Sequence, residues 1–344
     1  MPKGLGDYFE QNPNVEIVIF AGKGGLGKTT GSSSLAYYMS QVKKRRTLLF
    51  STDPQASLSD IWERNIFGQG EVEILPNLYV VEIDADRRVS DYQKQVKQRI
   101  KDMYGLDAIP KEIDEYIDST SAEPAMYESA TYDAMAELVA KKEFDIYIFD
   151  MPPFGHGVRM VAMADILSKW VDKITEARQK VAEYDAVAAS LKGEKGHEDA
   201  VMQELLDIKA KITGFTDLIT NRKRTAFFMV LIPEQMAILD TDRALRMFSD
   251  LHLEMSGLVV NQVYPEDLLK KADISDFLRN RVQMQQEHMK TIGQKFGDKV
   301  KAIVPMLTKE PKGVEMIATT SEHLIETKLQ LPMPALSGQP AARS

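Results

Sequence analysis

Seven short apolar runs punctuate the chain, at residues 15–20, 47–51, 78–84, 145–150, 225–231, 257–261 and 301–304. Most lack polar alternation, which is the pattern of strands covered on both faces. Helical patterns separate them. That β-α-β rhythm predicts an α/β fold with a doubly wound, mostly parallel sheet. Two insertions interrupt it. Residues from about 90 to 140 are mostly helical and charged, broken by Pro110 and Pro124. Residues from about 164 to 220 predict a helical hairpin. Its first arm spaces Ile166, Trp170, Ile174, Val181, Val187 and Leu191 by rough helical turns. Gly193 and Gly196 mark the turn, and Val201, Leu205, Ile208 and Ile212 line the return arm. No internal repeat is visible, so the expected organisation is one domain over residues 14–330 carrying both insertions. An extension (1–13) precedes it, and a flexible tail (331–344) with Pro332, Pro334 and Pro340 follows.

Chemistry enters directly after the first apolar run. The string Gly22-Lys23-Gly24-Gly25-Leu26-Gly27-Lys28-Thr29-Thr30 fits G-x-x-x-x-G-K-[ST] between a strand and a helix start. Glycines let successive backbone amides face phosphate oxygens, and the helix N-terminus adds positive potential. A P-loop ATPase is the reading this supports. Lys28 is expected to reach the β- and γ-phosphates of ATP, and the Thr29 hydroxyl to ligate Mg2+. A structural glycine turn is the plain alternative.

Two later strands end in carboxylates. Ligands of open α/β sheets bind beyond the carboxyl ends of the strands, which places Asp53 near the phosphates. There it can orient the attacking water; an isolated aspartate ahead of Ala56-Ser57-Leu58 reads equally as a helix cap. Asp150 ends its run in the same way and suits an outer-sphere Mg2+ partner, since that ion keeps most of its waters. Gly155 and Gly157 follow in a loop able to move with the γ-phosphate.

These motifs together resemble the arsenical-pump ATPase family, whose eukaryotic and archaeal relatives target tail-anchored membrane proteins. The segment Ser51-Thr52-Asp53-Pro54-Gln55-Ala56-Ser57-Leu58-Ser59-Asp60 is similar to the family's first switch, and Asp150-Met151-Pro152-Pro153-Phe154-Gly155-His156-Gly157-Val158-Arg159 to its second. Ile232-Pro233-Glu234-Gln235 and Val259-Val260-Asn261-Gln262 match two later strings. The glycine-rich loop looks like the family's deviant Walker A motif. In that class the early lysine, here Lys23, reaches the nucleotide of a facing subunit, which implies a homodimer or a heterodimer with a paralogue. A surface lysine is the plain reading. The resemblance further implies that Glu234 contacts nucleotide across the dimer, that Asn261 reads adenine, and that Pro305 lies in a loop closing over the base. Read from the residues alone, Glu234 is a polar residue after a strand and Asn261 a strand terminator. The family histidine of the first switch is replaced around Gln55-Ala56, and Phe154 and Gly157 stand where threonines are usual.

Composition then narrows the function. With 44% hydrophobic and 27% charged residues the chain reads as an ordinary cytoplasmic protein, and no apolar stretch reaches the length of a membrane span. A net charge of −8 argues against a nucleic-acid surface. The basic run Lys43-Lys44-Arg45-Arg46 reads as a solvated loop between a helix and a strand. There is no cysteine. Thiolate zinc at a dimer interface, which the family's targeting members place near Ile274 to Phe277, is therefore not expected. Arsenite capture by thiolates is not expected either. His156, without thiolate neighbours, reads as a loop hydrogen-bonder. The function expected is a dimeric Mg-ATP switch that binds a client or membrane-associated partner protein. An arsenite-pump subunit and a partitioning-type ATPase are the alternatives. Seventeen charged residues in 171–220, with Met202 the single methionine there, argue against a methionine-lined client groove.

Overall fold

The computed structural model describes residues 2–51, 57–104, 107–119, 124–151, 172–173, 210, 213–251, 253–271 and 273–332. Eight strands, β1 (Ile17–Ala21), β2 (Thr47–Ser51), β3 (Val72–Leu75), β4 (Leu78–Glu82), β5 (Ile146–Asp150), β6 (Thr225–Leu231), β7 (Gly257–Val263) and β8 (Val300–Pro305), form one sheet. Its order is β3-β4-β2-β5-β1-β6-β7-β8. Only the β3–β4 pair is antiparallel. Every residue of β1, β2, β5 and β6 is buried, as their unbroken apolar sequences require. All seven expected strands are present. The eighth, β3, is a half-exposed edge strand with a register shift.

The helices are α1 (Leu5–Gln11), α2 (Lys28–Tyr37), α3 (Ser57–Trp62), α4 (Ala85–Tyr104), α5 (Lys111–Ser119), α6 (Pro124–Ala140), α7 (Gln235–Asp250), α8 (Asp276–Phe296) and α9 (Gly313–Ile325). Pro124 opens α6 and Pro110 precedes α5, the positions where a missing N–H costs least. The chain divides into two compact units. The first comprises Met1–Glu82, Phe144–Phe154 and Arg222–Ser344, and the second Ile83–Glu143 and Gly155–Asn221.

In the first unit α2 packs on the central strands and on α9, while α7 packs on β6. Helix α8 buries Val282, Gln285, Met289, Ile292 and Phe296, a stripe at helical spacing. Ser275 caps it, accepting the Leu278 N–H at 3.3 Å, and Phe277 in its first turn is 73% exposed. The residues before 14 are part of this core: Leu5 and Phe9 of α1 are buried, and Phe9 and Tyr8 pack against the Phe228 ring.

The basic run belongs to the turn into β2. Arg45 donates to the carbonyls of Val15 and Asp145, and the Arg46 guanidinium lies 5.0 Å from the ring centroids of both Tyr79 and Phe144. In the second unit α4 packs against α5 and α6. Residues 172–173, 210 and 213–220 are helical; the rest of the expected hairpin over 164–220 lies outside the described residues, as does 333–344.

Candidate active site

Strand β1 lies between β5 and β6: the strands that follow it, β2 to β5, lie on one side, and β6 to β8 lie on the other. A crevice beyond the strand ends forms at such a reversal, and phosphate-binding turns sit there. The register lines up what enters it. Glu82, Ser51, Asp150, Phe20 and Phe228 form one row across β4, β2, β5, β1 and β6. The glycine-rich loop leaves β1 directly beyond that row.

Three glycines of the loop hold left-handed backbone: Gly22 (φ 147°), Gly25 (φ 78°) and Gly27 (φ 93°). At Gly22 a Cβ would stand 2.6 Å from the Val230 carbonyl oxygen, so the loop leaves the sheet closer than any side chain permits. Around Gly24 and Gly25 there is the opposite condition, with nothing within 4 Å of either Cβ position. The loop is therefore open to solvent around these two glycines, which leaves room for a ligand against its backbone. Lys28 begins α2 and is 5% exposed, and its Nζ donates to the Lys23 carbonyl across the loop at 3.3 Å. Thr29 and Thr30 follow in the first turn of α2, half-buried. Asp150 is buried at the end of β5, and the next residue, Met151, donates its N–H to the Phe20 carbonyl at 3.2 Å. The helix whose first turn carries Thr29 packs on β5, the strand that Asp150 ends, and a hydroxyl with one carboxylate is a donor set of the kind Mg2+ takes from protein. Among the described residues no group of three or more His, Cys, Asp or Glu forms a larger cage.

The expected base-reading residue also meets the loop. Asn261 Nδ2 donates to the Leu26 carbonyl at 2.9 Å, and a Cβ on Gly27 would collide with that same amide. Gln262, next in the chain, holds φ 57°, an uncommon left-handed position for a residue with a side chain. The kink falls where the β7–β8 register shifts, and it brings Val263 opposite Pro305. The Val263 carbonyl accepts the Met306 N–H at 2.9 Å. Gln285 of α8 clamps the adjacent turn from beneath: its Oε1 accepts from Tyr264 N at 2.8 Å and its Nε2 donates to Tyr264 O at 3.0 Å.

Two expected residues lie further out. Lys23 is 58% exposed at its side chain and its Nζ is 3.6 Å from Asp240 of α7. Glu234 precedes α7, about half exposed, 3.8 Å from Arg281 of α8. Asp53, Gln55, Ala56, Phe154, Gly155, His156 and Gly157 lie outside the described residues.

Sequence reasoning passed over Glu82, Gln285 and Asp240. Glu82 carried the same signal as Asp150, a carboxylate ending an apolar strand, and no motif surrounds it. Gln285 and Asp240 sit in helices where a polar side chain signals nothing by itself.

A family model described as anion-transporting ATPase matches residues 15–326. A protein of Aquifex aeolicus, named provisionally as a second arsenical pump-driving ATPase, is 28% identical over 312 residues, covering 90% of this chain and 99% of its own length. The ATPase ASNA1 homolog 2 of Paramecium tetraurelia is 27% identical over 327 residues, covering 92% and 96%. The ATPase GET3 of Debaryomyces hansenii is 26% identical over 333 residues, covering 92% and 91%.

Proposed function

The chain belongs to the anion-transporting ATPase family and is an ATPase, and from that premise we propose that it works as a dimeric Mg-ATP switch in the cytoplasm, coupling nucleotide state to a client or partner protein. The observation that carries the reading is the loop itself: open around Gly24 and Gly25, backed by buried Lys28, with Asp150 in the adjoining strand row. Backbone amides of Gly22 to Thr30 and the Lys28 ammonium bind and orient the phosphates. Thr29 would hold Mg2+ directly and Asp150 through water; the ion would supply charge neutralisation for the phosphates when bound. Asp53 orients a water for in-line attack on the γ-phosphorus. The bond between that phosphorus and the bridging oxygen breaks, leaving ADP and inorganic phosphate. Lys23 reaches the nucleotide of the facing subunit, where a cation added in trans stabilises the transferring phosphoryl group. Glu234 meets that nucleotide from across the dimer. Asn261 and the Pro305 segment hold the adenine.

The family resemblance supports a partner such as a tail-anchored membrane protein. The relatives named ATPase GET3 and ATPase ASNA1 homolog cover nearly the whole chain, which supports the same direction. Among the described residues no helix is long and apolar enough to cross a membrane. The arsenical-pump name of one relative finds no thiol in this chain to bind arsenite.

Two substitutions separate binding from chemistry. Lys28→Ala removes a phosphate contact and should weaken ATP binding in isothermal titration. Asp53→Asn keeps shape and should bind Mg-ATP nearly as the wild type does, while phosphate release falls about 100-fold or more. Full turnover in Asp53→Asn would remove that residue from the mechanism.

A further inference from the structure

Asn261 sits in β7 directly after Val260, which pairs with Leu231 of β6 on one side and Ile303 of β8 on the other. The sheet therefore fixes where its side chain begins. That side chain reaches the glycine-rich loop, and its Nδ2 donates to the Leu26 carbonyl at 2.9 Å. Asn261 is half-buried and Leu26 buried, so the bond is partly withdrawn from water. A loop that turns N–H groups toward an anion must turn the carbonyls of the same peptides away, because a trans peptide holds C=O and N–H on opposite sides. Those carbonyls then need donors of their own. For the peptide joining Leu26 to Gly27, the donor is Asn261.

Gly27 makes that orientation possible without making it unique. It holds φ 93° as the N-cap of α2, directly before Lys28. Flipping the peptide changes ψ at Leu26 and φ at Gly27, and glycine takes either sign of φ, so sterics at Gly27 do not forbid the flip. A flipped peptide would aim the Leu26 carbonyl at the phosphates and withdraw the Gly27 N–H from them. We propose that Asn261 is a positioning residue for the phosphate loop: by holding the Leu26 carbonyl outward, it keeps the Gly27 N–H turned toward the phosphates whether or not a base is present. The assignment goes beyond the adenine contact given above, and it rests on the loop being the phosphate site. A side chain on Gly27 would collide with the Asn261 amide, so the glycine supplies the room for this strap as well as the backbone angle.

Inorganic tripolyphosphate with Mg2+ separates this role from base reading, since it carries the phosphates and no base. Asn261→Leu keeps the approximate shape and removes the donor; if it does not fold, Asn261→Ala decides. Isothermal titration of the folded variant should show the dissociation constant for tripolyphosphate raised about fivefold or more, the loss of one hydrogen bond at a partly buried site. Mg-ATP should weaken by at least the same factor. Tripolyphosphate held as tightly as by wild type, with Mg-ATP weakened, would overturn the assignment and leave Asn261 a base contact alone. Unchanged affinity for both ligands beside a lowered melting temperature would also overturn it, leaving the bond a tie that only stabilises the fold. Lys28→Ala tests the reading beneath and should weaken tripolyphosphate too. Tripolyphosphate binding indifferent to Lys28→Ala, or absent from wild-type protein that binds Mg-ATP, would overturn the loop as the phosphate site and the assignment with it.

Discussion

Gln285 shows what one buried amide does for a site it does not enter. Its side chain imitates a strand edge, giving an acceptor to the Tyr264 N–H and a donor to the Tyr264 carbonyl, three residues beyond Asn261. Replacing it with methionine keeps the volume and leaves both backbone groups without their partner, a cost of about 1–3 kcal/mol for an orphaned buried group. Gln285→Met should therefore lower the unfolding midpoint in urea. If Asn261 holds the adenine as proposed, it should also raise KM for ATP several-fold with kcat nearly unchanged, because the turn beyond Asn261 is loosened and the phosphate loop is not. An unchanged KM would separate this clamp from base recognition. Thr327 does a similar service at β8, where its hydroxyl bonds both the N–H and the carbonyl of Ile303. Neither role could be read from sequence. A lone glutamine or threonine near an apolar stripe carries no spacing rule, whereas the glycines, Lys28 and Thr29 do.

Elements were legible in proportion to how completely they are buried. The central strands are continuous apolar runs because helices cover both faces, and each was visible as such. Strand β3 was not: Val72-Glu73-Ile74-Leu75 is four residues long, half-exposed and antiparallel at the edge. Helix α1 was missed for a related reason, since seven residues with two buried apolar side chains form no measurable period and its order comes from docking on α9 and β8. The register row that gathers Glu82, Ser51 and Asp150 also could not be seen, because strand order is a property of the sheet and not of any one run. In the second unit α6 meets the helical stretch 213–220 through Tyr132. Its ring packs edge-on to Phe215 at 4.9 Å, and its hydroxyl shares a 3.0 Å hydrogen bond with Thr216. Burial pushes the phenol up to about 12, against the Thr216 bond, which lowers it, and with help from the Asp217 charge. The unfolded chain releases that proton near pH 10 and the folded chain later, so this contact stabilises fully below about pH 10 and fades as pH rises toward 12. Urea midpoints at pH 9 and pH 11 should fall further for wild type than for Tyr132→Phe. Equal falls would place the tyrosine in water.

At the scale of the whole molecule, the described part of the site in one chain comprises the glycine-rich loop, buried Lys28 and Asp150, with Lys23 at its outer edge. That lysine is mostly exposed and rests near Asp240, an ion pair too solvated to hold it firmly. In the function proposed above Lys23 serves a second subunit, which would make hydrolysis a property of the dimer and let nucleotide state govern assembly. The most direct test mixes two inactive proteins, Lys23→Ala and Asp53→Asn, after confirming that subunits exchange. Each site of a mixed dimer draws its aspartate and its lysine from different chains, so one of its two sites is whole. With random exchange half the dimers are mixed, and phosphate release should recover to about one quarter of the wild-type rate. A mixture as inactive as its parents, with exchange demonstrated, would contradict action in trans and leave Lys23 acting on the nucleotide of its own chain.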